Sequence, residues 1–163
     1  MRETGSIIIE AARSATEEVR ALVGELDEVL AAEYPPEQRH GLVLDAIFRP
    51  HIRFFVARIR GRAVGCGGVA LFADFAEVKR MYVRAAVRGQ GVAPALLAQL
   101  ESEAREAGLS LLRLETGDRQ GAALRFYERS GFRRCGAFGD YAAMPPAAIA
   151  TSVFMEKPLG PAA

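Results

Sequence analysis

A glycine-containing loop between a strand and a helix is the part of this sequence best suited to binding an anion. A β-strand ends near Val83, Gly89 and Gly91 follow, and a long amphipathic helix begins at Gly91. Glycine lets the backbone approach a ligand closely, and a helix N-terminus offers unpaired N–H donors and a favourable dipole. The loop therefore favours a phosphate group, although one or two glycines are also common in an ordinary strand-to-helix turn.

Two well-known phosphate loops do not fit this stretch. A P-loop needs a Lys-Ser or Lys-Thr pair after its second glycine, and none follows Gly91. The dinucleotide fingerprint Gly-x-Gly-x-x-Gly would have Pro94 at its third glycine position, and it belongs early in a βαβ unit rather than in mid-chain. A Rossmann-type nucleotide-binding enzyme is therefore a disfavoured alternative.

The elements that must position this loop are predicted from hydrophobic periodicity. A strand at 7–9 precedes a helix capped by Ser14 or Thr16, and a second helix is expected between Pro36 and Pro50. The expected order continues with a hairpin of strands 52–59 and 63–71, strand 75–83, helix 91–107, strand 109–115, helix 120–130, and strands 132–135 and 152–156. In strand 75–83, simple alternation puts one set of side chains on each face: Glu77, Lys79, Met81 and Val83 against Val78, Arg80 and Tyr82.

Composition restricts the class of protein. The 163 residues are 50% hydrophobic, which predicts one folded domain over 1–163 with no internal linker. The net charge of +1 argues against nucleic acid, whose binders carry a marked basic excess. No apolar run is long enough for a membrane helix, and the N-terminus lacks a signal-peptide core. Cys66 and Cys135 match no zinc spacing and suit a reducing cytoplasm, so no metal is predicted.

The loop fits a third phosphate-binding pattern, and the match extends well beyond the loop. Arg88-x-x-Gly91-x-Ala93 resembles the Arg/Gln-x-x-Gly-x-Gly/Ala signature of the GNAT (Gcn5-related) N-acetyltransferase superfamily. The resemblance covers roughly residues 52–136, with its segments in the right order. Within the superfamily, the sequence is similar to small bacterial members. Its other segments are 77–83, Leu96-Leu97, 114–116, and the block 123–132, which ends in the Tyr-Glu-x-x-Gly-Phe pattern of Tyr127 to Phe132.

The resemblance implies a fold and a cosubstrate. The fold is an α/β one with a mixed, mostly antiparallel central sheet, splayed central strands, and helices on both faces. The cosubstrate is acetyl-CoA, whose pyrophosphate would meet the loop amides and whose pantetheine arm would lie between the splayed strands. The implied cofactor-binding residues are Met81, Tyr82, Val83, Arg88, Gly89, Gln90, Gly91, Val92, Ala93, Pro94 and Gln120, the last replacing an Asn that is frequent in the family.

Three residues take catalytic roles by the same resemblance. Glu77 would be the base that deprotonates the acceptor amine, the Val83 N–H would meet the thioester oxygen, and Tyr127 would protonate the departing thiolate. The alternative for Glu77 is an exposed carboxylate paired with Lys79 or Arg80. The alternative for Tyr127 is a half-buried packing residue.

The acceptor and the charged surroundings are less determined. Arg84, Arg88, Arg125 and Arg129 are candidates for phosphate contacts, or else form a solvated basic surface. By the resemblance, 34–36 with His40, and 138–141, would shape a pocket for a small-molecule or peptide amine. Asp140 would there bind a cation or simply end a turn. A catalytically silent CoA-binding sensor is the alternative function, and a homodimer is possible.

Overall fold

A single seven-stranded sheet organises the chain. The computed structural model describes residues 5–160, and the strand order is β1-β2-β3-β4-β5-β7-β6. The strands are β1 Ile7–Ala11, β2 Ile52–Ile59, β3 Arg62–Leu71, β4 Ala76–Val83, β5 Leu111–Gly117, β6 Arg133–Cys135 and β7 Ser152–Pro158. The α-helices are α1 Glu17–Glu33, α2 Val92–Glu106 and α3 Gly121–Arg129.

The sheet opens in its middle, between β4 and β5. All other neighbouring strands are antiparallel, whereas β4 and β5 are parallel and pair only at Ala76 with Leu112 and at Glu77 with Arg113. Beyond these two pairs, β4 runs on to Val83 and β5 to Gly117 without pairing. The predicted mixed sheet with splayed central strands is therefore confirmed.

The helices cover both faces of the sheet, as predicted. Leu22 of α1 packs with Cys66 on one face, whereas Leu96 of α2 packs with Val78 and Leu112 on the other. The α2 side forms the larger core cluster and extends across the opening to Tyr127 of α3. Burial of these apolar side chains supplies the main stabilisation of the fold.

The predicted second helix is wrong. The segment between Pro36 and Pro50 contains two short 3₁₀ helices, Pro36–Gln38 and Leu44–Phe48, joined by irregular chain. Gly41 in that chain lies against Arg80, and a Cβ there would overlap the guanidinium. Only Ala46 and Ile47 of the second 3₁₀ helix are buried, so one turn is enough to cover its part of the core.

Strict alternation along β4 is also wrong, because the strand contains a β-bulge. Lys79 pairs with Gly68 and Tyr82 pairs with Cys66, so Arg80 and Met81 lie opposite the single residue Gly67. Arg80 has φ 55°, a left-handed conformation that is rare for a non-glycine residue. The bulge reverses which face each later residue points to.

Among residues 5–160, no helix is long and apolar enough to cross a membrane.

Candidate active site

The opening between β4 and β5 leads into a cavity of about 130 Å³. Its walls come from α1, the chain that follows α1, both splayed strands and α3. The charged and hydroxyl-bearing side chains that line it are Tyr34, Arg39, His40, Glu77, Lys79, Arg80, Glu115, Thr116, Tyr127 and Tyr141. Met81 and Gln120, two of the predicted cofactor contacts, also line it.

The glycine loop has the backbone shape of an anion site. Gly89 and Gly91 have φ of 81° and 90°, and a Cβ at Gly89 would meet nothing within 4 Å. Gly91 is the N-cap of the 15-residue helix α2, so the N–H groups of Val92 and Ala93 precede the first intrahelical donors. Pro94 has no N–H to satisfy and suits the first turn.

The arginines around the loop have different environments. Arg84 Nη2 lies 2.8 Å from Glu25 Oε2, and Nη1 donates to the carbonyl of Ala63, so this side chain fastens the end of β4 to α1. The hydrogen bonds that Arg84 donates to Glu25 raise the pKa of Arg84 above its usual value. Arg88 is exposed, with Nε 3.4 Å from the carbonyl oxygen of Val83. Arg88 is therefore better placed than Arg84 for a phosphate, and Arg125 and Arg129 are exposed on α3.

The bulge corrects the expectation that Glu77 and Val83 share a face. Val83 and Met81 pack against the α2-side core. Tyr82 faces α1 instead, and its hydroxyl donates to Glu25 Oε1 at 3.1 Å. Glu77 is on the α1 face and is 4% exposed. Strand β4 thus contributes side chains to both faces of the opening, and the alternation of its side chains is shifted by one residue at Arg80.

Glu77 belongs to a buried three-residue cluster. The Tyr141 hydroxyl donates to Glu77 Oε2 at 2.7 Å, and Lys79 Nζ lies 2.8 Å from both that oxygen and the Tyr141 hydroxyl oxygen. Burial, followed by the Glu77 charge, raises the pKa of Tyr141 far above its usual range, so Tyr141 remains a proton donor. Glu77 is therefore paired with Lys79, as the alternative raised above expected, but it is buried rather than exposed and it lines the cavity.

Glu115 is a second carboxylate in the cavity, and the sequence prediction missed it. Its Oε2 atom accepts a hydrogen bond from Ser152 Oγ at 2.6 Å. Burial raises the pKa of Glu115, while the nearby His40 and Lys79 oppose that change. The signal was present in the strand pattern: Leu112 and Leu114 are core residues, so Glu115 must face the other way.

Tyr127 lies at the base of the same cavity. It is 6% exposed, and its ring packs edge-on against Phe132. Burial raises the pKa of its hydroxyl well above the usual value. Tyr127 is thus a packing residue that also lines the cavity.

Gln120 lies at the N-cap of α3, next to Tyr34 at the end of α1. The Tyr34 hydroxyl accepts a hydrogen bond from the Arg119 N–H at 2.8 Å. A Cβ at Gly117 would overlap the Tyr34 phenol, so this contact depends on glycine. Tyr34 thereby ties the end of α1 to the turn that carries Gln120.

Two loops close the cavity from above. His40 Nε2 lies 2.7 Å from the Ala148 carbonyl oxygen, which requires that nitrogen to carry a proton, and Gln38 Nε2 donates to Ala147 at 3.3 Å. Beyond Tyr141, a second pocket of about 510 Å³ adjoins the first and is lined by Asp140 among others. The loops at 34–41 and 138–149 therefore meet over the site.

Neither cysteine supplies a nucleophile to this cavity. Cys66 is fully buried, and burial raises the pKa of its thiol to about 12. Its Sγ donates to the Arg80 carbonyl at 3.4 Å, so it packs beneath the bulge. A thiol held protonated is unreactive.

The fold and site define an α/β acyltransferase, with a phosphate loop at the end of one splayed strand and ionisable groups in the gap. The family model described as "Acetyltransferase (GNAT) family" matches residues 18–132. The chain therefore belongs to the GNAT acetyltransferase family and is an acyltransferase enzyme.

Individual relatives agree with this assignment. An IAA acetyltransferase from Azospirillum brasilense is 45% identical over 140 residues, which cover 85% of this chain and 88% of that protein. A crystal structure from Klebsiella pneumoniae is similar at TM-score 0.74 and 34% identity, covering 94% of this chain and 98% of the other. The PaiA N-acetyltransferase from Thermoplasma acidophilum, in complex with coenzyme A, shares the fold at TM-score 0.68 and 18% identity, covering 94% of this chain and 99% of the other.

Proposed function

We propose that this enzyme transfers an acetyl group from acetyl-CoA to a primary amine by direct attack, in a complex holding both substrates. The observation that carries the proposal is the opening between β4 and β5, because it brings Glu77, Glu115 and Tyr127 into one cavity. Family membership and a relative named as an acetyltransferase support acetyl transfer. The amine acceptor is the finer part of the proposal.

The residues present fit acetyl-CoA. The positive φ angles of Gly89 and Gly91 expose backbone at the N-terminus of α2, as a pyrophosphate requires. The unpaired parts of β4 and β5 offer backbone groups to an amide-containing arm. Gln90 and Val92 complete the proposed loop contacts. Gln120, which follows β5, is a proposed contact on the other side of the opening.

The proposed chemistry uses three groups of this chain. When bound, acetyl-CoA supplies the thioester whose acetyl group is transferred. Glu77 takes one proton from the acceptor ammonium, after which the amine nitrogen forms the new C–N bond. The Val83 N–H stabilises the carbonyl oxygen, and Tyr127 protonates the sulfur as the C–S bond breaks. The second proton lost by nitrogen restores Tyr127, so the products are an amide, a free thiol and one released proton.

The test combines thiol release with cofactor binding. We expect the protein to be thermally stabilised by CoA and to release thiol from acetyl-CoA when the right amine is present. The amine panel should cover amino acids, polyamines, aminoglycosides and peptide N-termini. Stabilisation by CoA with no turnover on any amine would instead identify a silent CoA-binding sensor, and stabilisation by NAD or ATP alone would contradict both functions.

A further inference from the structure

The charges lining the cavity are of both signs, which is unusual for a site that needs only to bind an amine. Two carboxylates, Glu77 and Glu115, line it together with three basic side chains, Arg39, Lys79 and Arg80. A cavity built only for an ammonium group would be lined by acceptors and aromatic rings, since nearby cations repel it. The basic side chains therefore require an explanation.

Two of the three basic groups already have carboxylate partners. Lys79 pairs with Glu77 at 2.8 Å. The Arg80 guanidinium, which is 4% exposed, pairs with Asp27 of α1. Lys79 has three N–H donors, and its contacts with Glu77 and Tyr141 use two of them.

The remaining hydrogen-bonding capacity is asymmetric. In the chain from 5 to 160, the Nε atoms of Arg39 and Arg80 are buried and have no hydrogen-bond partner. Glu115 has one oxygen bonded to Ser152, and a carboxylate can accept several further bonds. The cavity therefore combines underused cationic donors with an underused anionic acceptor. Such a combination matches a ligand that carries one group of each charge.

We infer that the acceptor is a small amine that also carries an acid group, either a carboxylate or a phosphonate. Its amine meets Glu77 and Glu115, and its acid group meets Arg39 and the third donor of Lys79. Guanidinium groups suit the planar and tetrahedral anions of such acids. This inference rests on the proposed function and names the substrate class of that same site.

The same charges disfavour the other acceptor classes. A polyamine would bring a second ammonium group towards Arg39, Lys79 and Arg80, where it is repelled. An aminoglycoside carries several ammonium groups and would be repelled by the same three side chains. A neutral monoamine would leave the arginine donors unpaired.

The experiment compares matched amines with and without the acid group. The pairs are β-alanine with propylamine, and 2-aminoethylphosphonate with ethylamine, assayed by thiol release from acetyl-CoA. We expect kcat/KM to be about tenfold or more higher for the acid-bearing member of at least one pair. The pair that shows the larger ratio distinguishes carboxylate from phosphonate.

Variants of Arg39 locate the acid-binding group. Arg39→Gln should raise KM for the acid-bearing amine about tenfold and so reduce its advantage over the matched neutral amine. Arg39→Lys should recover part of the preference because it keeps the charge. Arg20→Gln, an exposed arginine on α1, is the matched control. Circular dichroism and stabilisation by CoA verify that each variant is folded.

Three results would overturn the inference. Use of neutral amines by the wild-type protein as efficiently as acid-bearing ones contradicts the inference and leaves the proposed function intact. If a folded Arg39→Gln variant loses kcat/KM equally for both amines of a pair, Arg39 does not bind the acid group. Turnover of no amine at all, with CoA still binding, rejects the proposed function itself.

Discussion

The two halves of the cleft are built in opposite ways. On the proposed cofactor side, a single continuous segment at 88–94 presents backbone N–H groups from glycine positions at a helix N-terminus. On the proposed acceptor side, side chains from five or more separate segments meet, from Tyr34 and Arg39 to Glu77, Glu115 and Tyr141. Backbone recognition suits a phosphate common to every reaction, whereas side-chain recognition is free to vary with the acceptor.

This difference implies that substitutions on each side should affect different kinetic constants. Cofactor-side changes should act on acetyl-CoA binding, and acceptor-side changes on the KM of the amine. Tyr127, at the base of the cavity between the two sides, should act on kcat.

Tyr127→Phe should have the largest effect. Removing the hydroxyl removes the proton donor to the leaving sulfur, so kcat should fall by about a hundredfold or more while acetyl-CoA binding is unchanged. Steady-state kinetics and CoA titration measure the two quantities. Full turnover in a folded variant with normal CoA binding would remove Tyr127 from the mechanism.

Gly91→Val should weaken acetyl-CoA binding by about ten- to a hundredfold. The φ of 90° is strained for a β-branched residue, so the loop must change shape to accept it. Isothermal titration with CoA measures the loss. Gly136→Val is the matched control, because a Cβ there meets nothing within 4 Å and its φ is not positive. Equal losses in both variants would contradict a backbone-built phosphate site.

Glu115→Gln should raise the amine KM about tenfold and leave CoA binding unchanged. It should also stabilise the fold at neutral pH. The folded-state pKa of Glu115 is raised, so wild-type stability falls as pH rises from the usual carboxyl value through the raised one. The melting-temperature gain of the variant should therefore grow between acidic and neutral pH. Glu106→Gln, on the exposed end of α2, should show no such gain.

Gly24→Ala should have the smallest effect and change no kinetic constant. Gly24 lies inside α1 and a Cβ there meets nothing within 4 Å, so alanine should add about 0.5–1 kcal/mol to the free energy of unfolding. Thermal unfolding measures the gain. Gly41→Ala should have the opposite sign, because its Cβ would overlap Arg80. A gain in both would show that the Gly41 contact is loose.

The backbone shape of the glycine loop was predictable from sequence because its features are local. The strand, the glycines and the helix stripe occur in one window, and their backbone conformations follow from residue type. The acceptor side was not, because nothing local indicates the bulge at Arg80, where a non-glycine residue has positive φ. That bulge changed the face assignment of Val83 and Met81. The alternation of β5 indicates which face Glu115 points to, but the cavity on that face exists only because β4 and β5 separate.

The second helix failed for a related reason. Its apolar residues have helical spacing, but Gly41 must fit against Arg80 of a distant strand, and tertiary contact overrode the local pattern. Conversely, α2 was placed within one or two residues because its leucine stripe and its flanking glycines agree.

The short β4–β5 junction divides the sheet into two mechanical halves. One half is the β1–β4 ladder, the other is β5–β7–β6, and only two residue pairs of backbone join them. Side chains packed beneath α2 mainly hold the two halves together. The helix therefore covers a seam between two strand ladders rather than a continuous sheet. In amide hydrogen exchange, each half should have its own protected centre, at β2–β3 and at β5–β7, and amides along the β4–β5 junction should exchange earlier. An acetyl donor that bridges the gap would then connect the two halves, and amide exchange should slow in both β4 and β5 at once.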